Sequence, residues 1–260
     1  MELRRQHQQG YEFVEEGQGP VLLLLHGLFG ALSNWQDVVS EFATDHRVII
    51  PLLPVYEMPL SQAGVPGLVA YVEDFVAAIG LPPSFTLLGN SLGGHVALVY
   101  ALKNPARVNR IVLTGSSGLF ENSMGASFPK RGNYAYVKER VGFTFYDPTL
   151  ATQELVDEVF NVTNSNAKCL RMIAIARSAQ RHNLSKELTK ITVPVLLVWG
   201  LNDTITPPPV AHEFARLLPH AELRFLDHCC HAPMMERPVG FNTYLRRFLR
   251  TTEPVVAVAA

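Results

Sequence analysis

The residue best placed for chemistry is Ser91, which lies in the sequence Gly89-Asn90-Ser91-Leu92-Gly93-Gly94. An apolar strand-like run ends just before this motif, and a helix-like run begins just after it. A serine on such a sharp strand-to-helix turn has a strained backbone, and glycines two positions on either side let neighbouring chain pass close by. The pattern therefore predicts that Ser91 is presented as a nucleophile at the carboxyl edge of a sheet.

A serine hydroxyl attacks efficiently only when a base accepts its proton and a carboxylate orients that base. Asp203 follows an apolar run 112 positions after Ser91, and His231 follows another such run 28 positions later. Asp227 and His228 stand close by and are alternative candidates. The chain thus offers a nucleophile, acids and bases in the order serine, aspartate, histidine.

Short apolar or β-branched runs alternate with longer amphipathic stretches, a pattern typical of a mostly parallel sheet covered by helices on both faces. The predicted strands are residues 21–25, 47–53, 85–88, 108–114, 193–199 and 222–226, with 11–15 as a candidate antiparallel edge strand. The predicted helices are residues 35–42, 65–79, 92–103, 210–217 and 238–250. This α/β arrangement would place Ser91, Asp203 and His231 at one edge of the sheet.

Residues 118–188 interrupt the alternation with helical patterns at 135–141, 152–161 and 167–179. We therefore predict a core of residues 1–117 and 189–260 with a helical lid inserted at 118–188. Arg177, Arg181 and His182 are candidates to meet an acidic substrate group, with an exposed basic helix face as the alternative. Aromatic side chains of the insertion are candidates to line an apolar pocket or simply to pack: Phe120, Phe128, Tyr134, Tyr136, Phe143, Phe145 and Tyr146.

Composition narrows the classes of partner. The chain has 260 residues, 48% of them hydrophobic and 17% charged, so it has ample material for a folded core. Its net charge of -1 gives no excess of positive charge that would attract nucleic acid or an anionic membrane. No apolar run approaches the roughly 20 residues that cross a bilayer, and residues 1–10 lack the apolar stretch of a secretory signal. We expect a cytoplasmic protein with a small-molecule substrate, three free thiols, and no nucleic-acid or membrane partner.

Four motifs together give the chain a resemblance to the α/β-hydrolase superfamily over nearly its whole length. They are His26-Gly27-Leu28-Phe29-Gly30, the turn around Ser91, Trp199-Gly200-Leu201-Asn202-Asp203 and His231-Ala232-Pro233. The resemblance implies the α/β-hydrolase fold, with Asp203 as the acid and His231, rather than the histidine three positions earlier, as the base. It also implies that the backbone N–H groups of Leu28 and Leu92 bind an oxyanion, while His26 holds its loop. Neither a cofactor nor a metal is implied.

The motif details separate the subfamilies. A serine at 91 followed by leucine differs from haloalkane dehalogenases and epoxide hydrolases, which attack with aspartate. The first motif resembles small carboxylesterases, and this favours ester hydrolysis through an acyl-enzyme. The Gly-Asn-Ser-x-Gly-Gly turn also resembles carbon–carbon bond hydrolases of meta-cleavage pathways, although no Trp follows His231 closely. A triad-bearing small-molecule receptor or regulator is the third alternative.

Overall fold

The computed structural model describes residues 4–29, 35–121 and 132–251. Among these residues, eight strands form one sheet in the order β1-β2-β4-β3-β5-β6-β7-β8. The strands are β1 (Arg5–Gln8), β2 (Tyr11–Glu16), β3 (Val21–Leu25), β4 (Arg47–Pro51), β5 (Phe85–Asn90), β6 (Val108–Thr114), β7 (Val195–Gly200) and β8 (Ala221–Leu226). The pairs β1–β2 and β2–β4 are antiparallel, and the remaining pairs are parallel. The predicted α/β class is confirmed.

The helices fall between the strands as the alternation predicts. They are α1 (Gln36–Phe42), α2 (Val65–Ala78), α3 (Leu92–Lys103), α4 (Tyr134–Gly142), α5 (Gln153–Asn164), α6 (Asn166–Arg181), α7 (Pro208–Leu217), α8 (Pro233–Glu236) and α9 (Pro238–Arg250). Parallel strands need such crossovers because consecutive strands must run in the same direction. The short α8, directly after His231, is the one of these helices that the sequence pattern did not predict.

Alternate residues of the central strands belong to opposite faces of the sheet. In β3, Leu23 and Leu25 pack with α2 and α3 on one face, whereas Leu22 and Leu24 pack with α1 and α9 on the other. Side chains alternate with period two along a strand, so a strand covered on both faces must be apolar throughout. This explains the continuous run of buried residues in β3 and β7.

The amino-terminal edge differs from the prediction. Strand β2 forms and is antiparallel as expected, but it is not the edge, because β1 pairs outside it. The two strands are joined at Gln9 and Gly10, which both have positive φ (50° and 85°), as a tight hairpin turn requires. Strand β1 is exposed and polar along its whole length, so no apolar alternation could reveal it.

Helices α4, α5 and α6 all lie between β6 and β7, in the segment predicted as an insertion. Val162 of α5 and Cys169 and Met172 of α6 form a small cluster against Leu28 and Phe29, in the loop after β3. Helices α5 and α6 therefore lie at the carboxyl edge of the sheet, because that loop leaves β3 at its carboxyl end. The exact limits 118 and 188 stay a prediction.

Two further sequence expectations have structural counterparts. Cys169, Cys229 and Cys230 are free thiols, as predicted, and all three are buried in the structure. Within the described ranges, no helix combines the length and the apolar character that crossing a bilayer would require.

Candidate active site

Ser91 occupies the turn between β5 and α3, with φ 54° and ψ −119°. Positive φ is costly for a residue with a Cβ, and neighbouring chain holds it in place: Ser91 N donates to Thr114 O at 3.1 Å, and Ser117 N donates to Ser91 O at 3.2 Å. A Cβ at Gly89 would lie 2.5 Å from Gly93 O, and one at Gly93 would lie 2.1 Å from Leu25 O. Glycine is therefore required on both sides of the turn, as the sequence pattern predicts.

Asp203 and His231 are joined by a buried hydrogen bond, with Nδ1 of His231 2.9 Å from Oδ2 of Asp203. The other carboxylate oxygen, Oδ1, accepts from the backbone N–H groups of Ile205 at 2.9 Å and Thr206 at 3.0 Å. The Thr206 hydroxyl donates to Oδ2 at 2.9 Å. These donors fix the carboxylate in the loop after β7, so that it can orient the imidazole.

The electrostatics of this pair favour a charged imidazole. Burial is the largest single influence and lowers the pKa of His231, but the charge and hydrogen bond of Asp203, together with the charges of Glu121 and Glu236, outweigh it. The pKa of His231 therefore lies above its usual value. Burial also raises the pKa of Glu121, and the interaction with His231 opposes this shift. Glu121, the first acidic residue after β6, thus lies within electrostatic reach of His231 while Asp203 occupies its Nδ1.

Asn90 and Gly115 connect the serine turn to the histidine loop. The side-chain amide of Asn90 donates to His231 O at 3.2 Å and to Thr114 O at 3.0 Å. Gly115 has φ +51°, and a Cβ there would lie 2.9 Å from His231 Nδ1. A side chain at position 115 would thus displace the imidazole. Neither residue could be assigned a role from the sequence, because neither carries catalytic chemistry itself.

The loop after β3 approaches Ser91 closely, since a Cβ at Gly27 would lie 3.3 Å from Ser91 Cβ. His26 Nε2 accepts from Leu53 N at 3.0 Å, so its Nδ1 carries the proton and donates to Gly27 O at 2.8 Å. Burial lowers the pKa of His26, with the bond to Gly27 opposing it, which keeps the ring neutral. The predicted structural role of His26 thus has a concrete form: it holds the Gly27–Leu28 peptide.

The two predicted oxyanion donors belong to the loop after β3 and to the start of α3. Leu92 N belongs to the first turn of α3, where amides have no intrahelical acceptor. The carbonyl of Leu28, in the peptide that follows Leu28 N, is also fixed, because the Tyr56 hydroxyl donates to Leu28 O at 2.6 Å. Gly30, the last residue of the same motif, lies outside the described residues. Tyr56 could not be assigned from sequence, because it has no fixed spacing from the motif.

The competing acid and base lie elsewhere. Asp227 and His228 are exposed, and their side chains pair with each other at 3.2 Å. His228 also packs edge-on against Tyr146. The structure thus brings Asp203 to His231 and leaves the alternative pair at the surface.

The predicted basic and aromatic residues of the insertion have mixed environments. Arg177 and Arg181 are exposed, whereas His182 stacks on the buried His95, with Nδ1 and Nε2 3.1 Å apart. Burial, together with His182, lowers the pKa of His95 to about 3. The aromatic residues divide as follows: Phe120, Phe143 and Tyr146 are exposed, Phe145 is buried, Tyr134 packs on Phe160, Tyr136 lies beneath the Arg140 guanidinium, and Phe128 lies outside the described residues.

Known proteins resemble this chain over most of its length. The human monoacylglycerol lipase ABHD6 is 26% identical over 92% of this chain and 79% of its own. The pimeloyl-[acyl-carrier protein] methyl ester esterase of Nitrosomonas europaea is 30% identical over 86% of this chain and 94% of its own. The crystal structure of MGS-MChE2, an alpha/beta hydrolase enzyme from a lagoon-sediment metagenome, superposes with a TM-score of 0.79. It shares 37% identity and covers 95% of this chain and 98% of its own.

The model of the alpha/beta hydrolase family matches residues 22–243, from β3 into α9. The match includes the serine turn, the Asp203–His231 pair and the helices between β6 and β7. The chain therefore belongs to the alpha/beta hydrolase family.

Proposed function

We propose that this hydrolase cleaves a small carboxylic ester through an acyl-enzyme formed on Ser91. The observation that carries the proposal is the buried 2.9 Å bond between Asp203 and His231, which lies at the sheet edge where the strained turn presents Ser91. Asp203 holds the Nδ1–H tautomer of His231, which leaves Nε2 free to accept a proton. An unassisted serine is a poor nucleophile, and this arrangement supplies the base it needs.

In the proposed first half-reaction, Ser91 Oγ attacks the ester carbonyl carbon and its proton passes to His231 Nε2. The carbonyl π electrons move to the oxygen, and the N–H groups of Leu28 and Leu92 bind the resulting oxyanion. The intermediate collapses by breaking the ester C–O bond, and His231 returns the proton to the departing alcohol. Water then attacks the acyl-serine by the same route, so that the carboxylic acid leaves and Ser91 is restored.

The choice of an ester over a carbon–carbon bond rests on the relatives and on the motifs. Two of the similar proteins are named as a lipase and as a methyl ester esterase, and the sequence His26-Gly27-Leu28-Phe29 resembles small carboxylesterases. The turn Gly89-Asn90-Ser91 is also typical of meta-cleavage hydrolases, which keeps carbon–carbon bond hydrolysis as the second candidate. Neither reaction needs a metal or an organic cofactor in this scheme.

The helices between β6 and β7 are proposed to act as the lid that selects the substrate. The support is the contact of Cys169 and Met172 with Leu28 and Phe29, because groups bound at the oxyanion donors must lie next to those side chains. A lid in this position can discriminate acyl or alcohol groups by size without altering the reacting atoms.

The test combines labelling with turnover. A fluorophosphonate should add one label to the wild-type chain at Ser91 and none to Ser91→Ala, as read by intact-mass and peptide mass spectrometry. The same enzyme is then offered methyl and p-nitrophenyl esters of graded acyl length and, in parallel, a meta-cleavage dienoate. A label away from Ser91 would overturn the nucleophile assignment. Faster turnover of the dienoate than of any ester would favour the carbon–carbon reaction. Labelling at Ser91 with turnover far below about 1 per second on every substrate would favour a receptor.

A further inference from the structure

A second buried carboxylate, that of Glu236, binds the backbone on both sides of His231. Its Oε1 accepts from Cys230 N at 2.9 Å and from Ala232 N at 3.1 Å. The Glu236 side chain belongs to α8 and is only 8% exposed. The residues that precede and follow His231 are therefore anchored to one carboxylate oxygen.

The other oxygen of Glu236 binds the insertion. Oε2 accepts from Tyr146 N at 2.7 Å, and Tyr146 follows α4 in the segment between β6 and β7. One rigid side chain thus bridges the histidine loop and the proposed lid, which are about 90 residues apart in sequence.

Further hydrogen bonds join the same two segments. His231 N donates to Thr144 O at 3.1 Å, and the Cys230 thiol donates to Phe143 O at 3.6 Å. The segment Phe143–Tyr146 therefore contacts the histidine loop at two consecutive residues, Cys230 and His231, and backbone N–H groups of both segments bind the carboxylate of Glu236. Movement of one segment must break bonds to the other.

The chemistry of the bridge depends on a carboxylate. An ionised carboxylate is purely an acceptor, and two oxygens can accept all three N–H groups at once. Burial, with a smaller effect of the Asp203 charge, leaves the pKa of Glu236 above its usual value, and the N–H groups of Tyr146, Ala232 and Cys230 oppose this shift because they stabilise the charged form. A neutral amide has one acceptor oxygen and an NH2 donor, and it cannot satisfy N–H donors on both sides.

We propose that Glu236 is a positioning residue that couples the lid segment Phe143–Tyr146 to His231, so that the lid and the catalytic base move as one unit. The inference rests on the proposed function, in which His231 is the base. It predicts that a substrate whose binding holds the lid in place also orients His231 for proton transfer. It also predicts that loosening the lid at Tyr146 misplaces the base without any change in the residues that touch substrate.

The first variant is Glu236→Gln, with Glu213→Gln as its matched control. Glu213 lies half-exposed on α7, where it pairs with Arg216, so the same change there removes a charge without touching the site. With Glu236→Gln, the single amide oxygen can accept from the N–H groups of Cys230 and Ala232, or from the N–H group of Tyr146, but not from both segments. Hydrogen–deuterium exchange should show protection of at least one of these segments falling about tenfold. The value of kcat should fall up to about 100-fold with little change in KM, because the base is displaced rather than removed. The control should change neither.

The second variant, Glu236→Asp, separates charge from reach. It keeps a carboxylate near His231 but is one methylene shorter, so it cannot span both segments. Since the charges that face His231 are those of Asp203, Glu121 and Glu236, Glu236→Gln should move the acidic limb of kcat to lower pH. Glu236→Asp should keep the limb in place while still losing protection at residues 143–146 or 230–232.

The outcomes distinguish this inference from the proposed function. A wild-type protein that neither reacts with fluorophosphonate nor hydrolyses any ester would refute the function, and the exchange data would still report the coupling. An active wild type whose protection and kcat are unchanged by Glu236→Gln would overturn the coupling. A loss of rate that only matches the loss of folded protein, with an unmoved acidic limb, would also overturn it by reducing Glu236 to a structural residue.

Discussion

Replacing Asp203 by asparagine should test the catalytic pair most severely. The two backbone donors at Oδ1, from Ile205 and Thr206, can be satisfied only by an oxygen. The amide oxygen of Asp203→Asn must therefore stay on that side, and the NH2 group must take the place of Oδ2, which faces His231 Nδ1. An NH2 group can only donate there, so Nδ1 must lose its proton and Nε2 must carry it.

The magnitude follows from this change of tautomer. With a proton on Nε2, His231 cannot accept the proton of Ser91, and such a substitution in a serine triad costs about 10⁴-fold in kcat. At about 1.4 kcal/mol for each factor of ten, this is a rise of about 5 kcal/mol in the activation free energy. The Asp203 side chain is fully buried, so bulk water cannot offer the imidazole another partner.

The cost to folding should be far smaller. The Thr206 hydroxyl can rotate from donating to Oδ2 to accepting from the new NH2 group, so hydrogen bonds are exchanged rather than lost. Weaker bonds to a neutral group should lower the free energy of unfolding by about 1–2 kcal/mol. For a chain of this size this lowers Tm by no more than about 8 °C.

The assay is kcat on the best ester of the graded panel, with the rate of fluorophosphonate labelling and a thermal melt measured on the same samples. Asp227→Asn is the matched control, because Asp227 is exposed and pairs only locally with His228. It should leave kcat almost unchanged. If Asp203→Asn keeps more than a tenth of the wild-type kcat, or if the control loses more than Asp203→Asn does, the reasoning from hydrogen-bond polarity is refuted.

Three further predictions concern the turn at Ser91, the proposed base and the loop of Leu28. Ser91→Gly should abolish fluorophosphonate labelling. It should also raise the free energy of unfolding, measured in denaturant melts, by about 1 kcal/mol, because glycine adopts the positive φ without strain. A less stable variant would contradict this reasoning. The acidic limb of kcat/KM should lie above about pH 6.5, since the pKa of His231 is raised and only the neutral imidazole accepts a proton; a limb below pH 6 would count against the assignment. Tyr56→Phe, which removes the bond to Leu28 O, should lower kcat about tenfold while leaving fluorophosphonate able to label Ser91. An unchanged kcat would deny Tyr56 a role at the loop of Leu28.

The sequence predicts the elements whose burial leaves a periodic pattern. The strands β3 and β6 and the helices α3 and α9 have the predicted bounds, because their apolar residues or flanking breakers mark both ends. Strand β1 escapes prediction because it is polar and is held by backbone pairing across the turn at Gln9. A four-residue helix such as α8 is too short to show periodicity.

The candidate site divides in the same way. Ser91, Asp203 and His231 stand in motifs with fixed local spacing, so their types and order could be read from the chain. Glu236 and Tyr56 act through backbone groups that are distant in sequence, Tyr146 N and Leu28 O. A contact between a side chain and a distant backbone group cannot be recognised from residue types. Any residue at position 28 supplies the carbonyl, and any residue except proline at position 146 supplies the N–H.

The supports of the site show why chemistry and substrate selection should be linked in this chain. Asn90 connects the turn of Ser91, the proposed nucleophile, to the histidine loop, and Glu236 connects that loop to the insertion. On the opposite side of Ser91, the loop of Leu28 rests against Met172 of the same insertion. The proposed base and the proposed oxyanion donor at Leu28 thus both contact the segment between β6 and β7. A substrate that seats these helices well would improve both proton transfer and oxyanion binding. Substrate preference should therefore appear in kcat at least as strongly as in KM, since well-seated helices favour the transition state more than they favour binding.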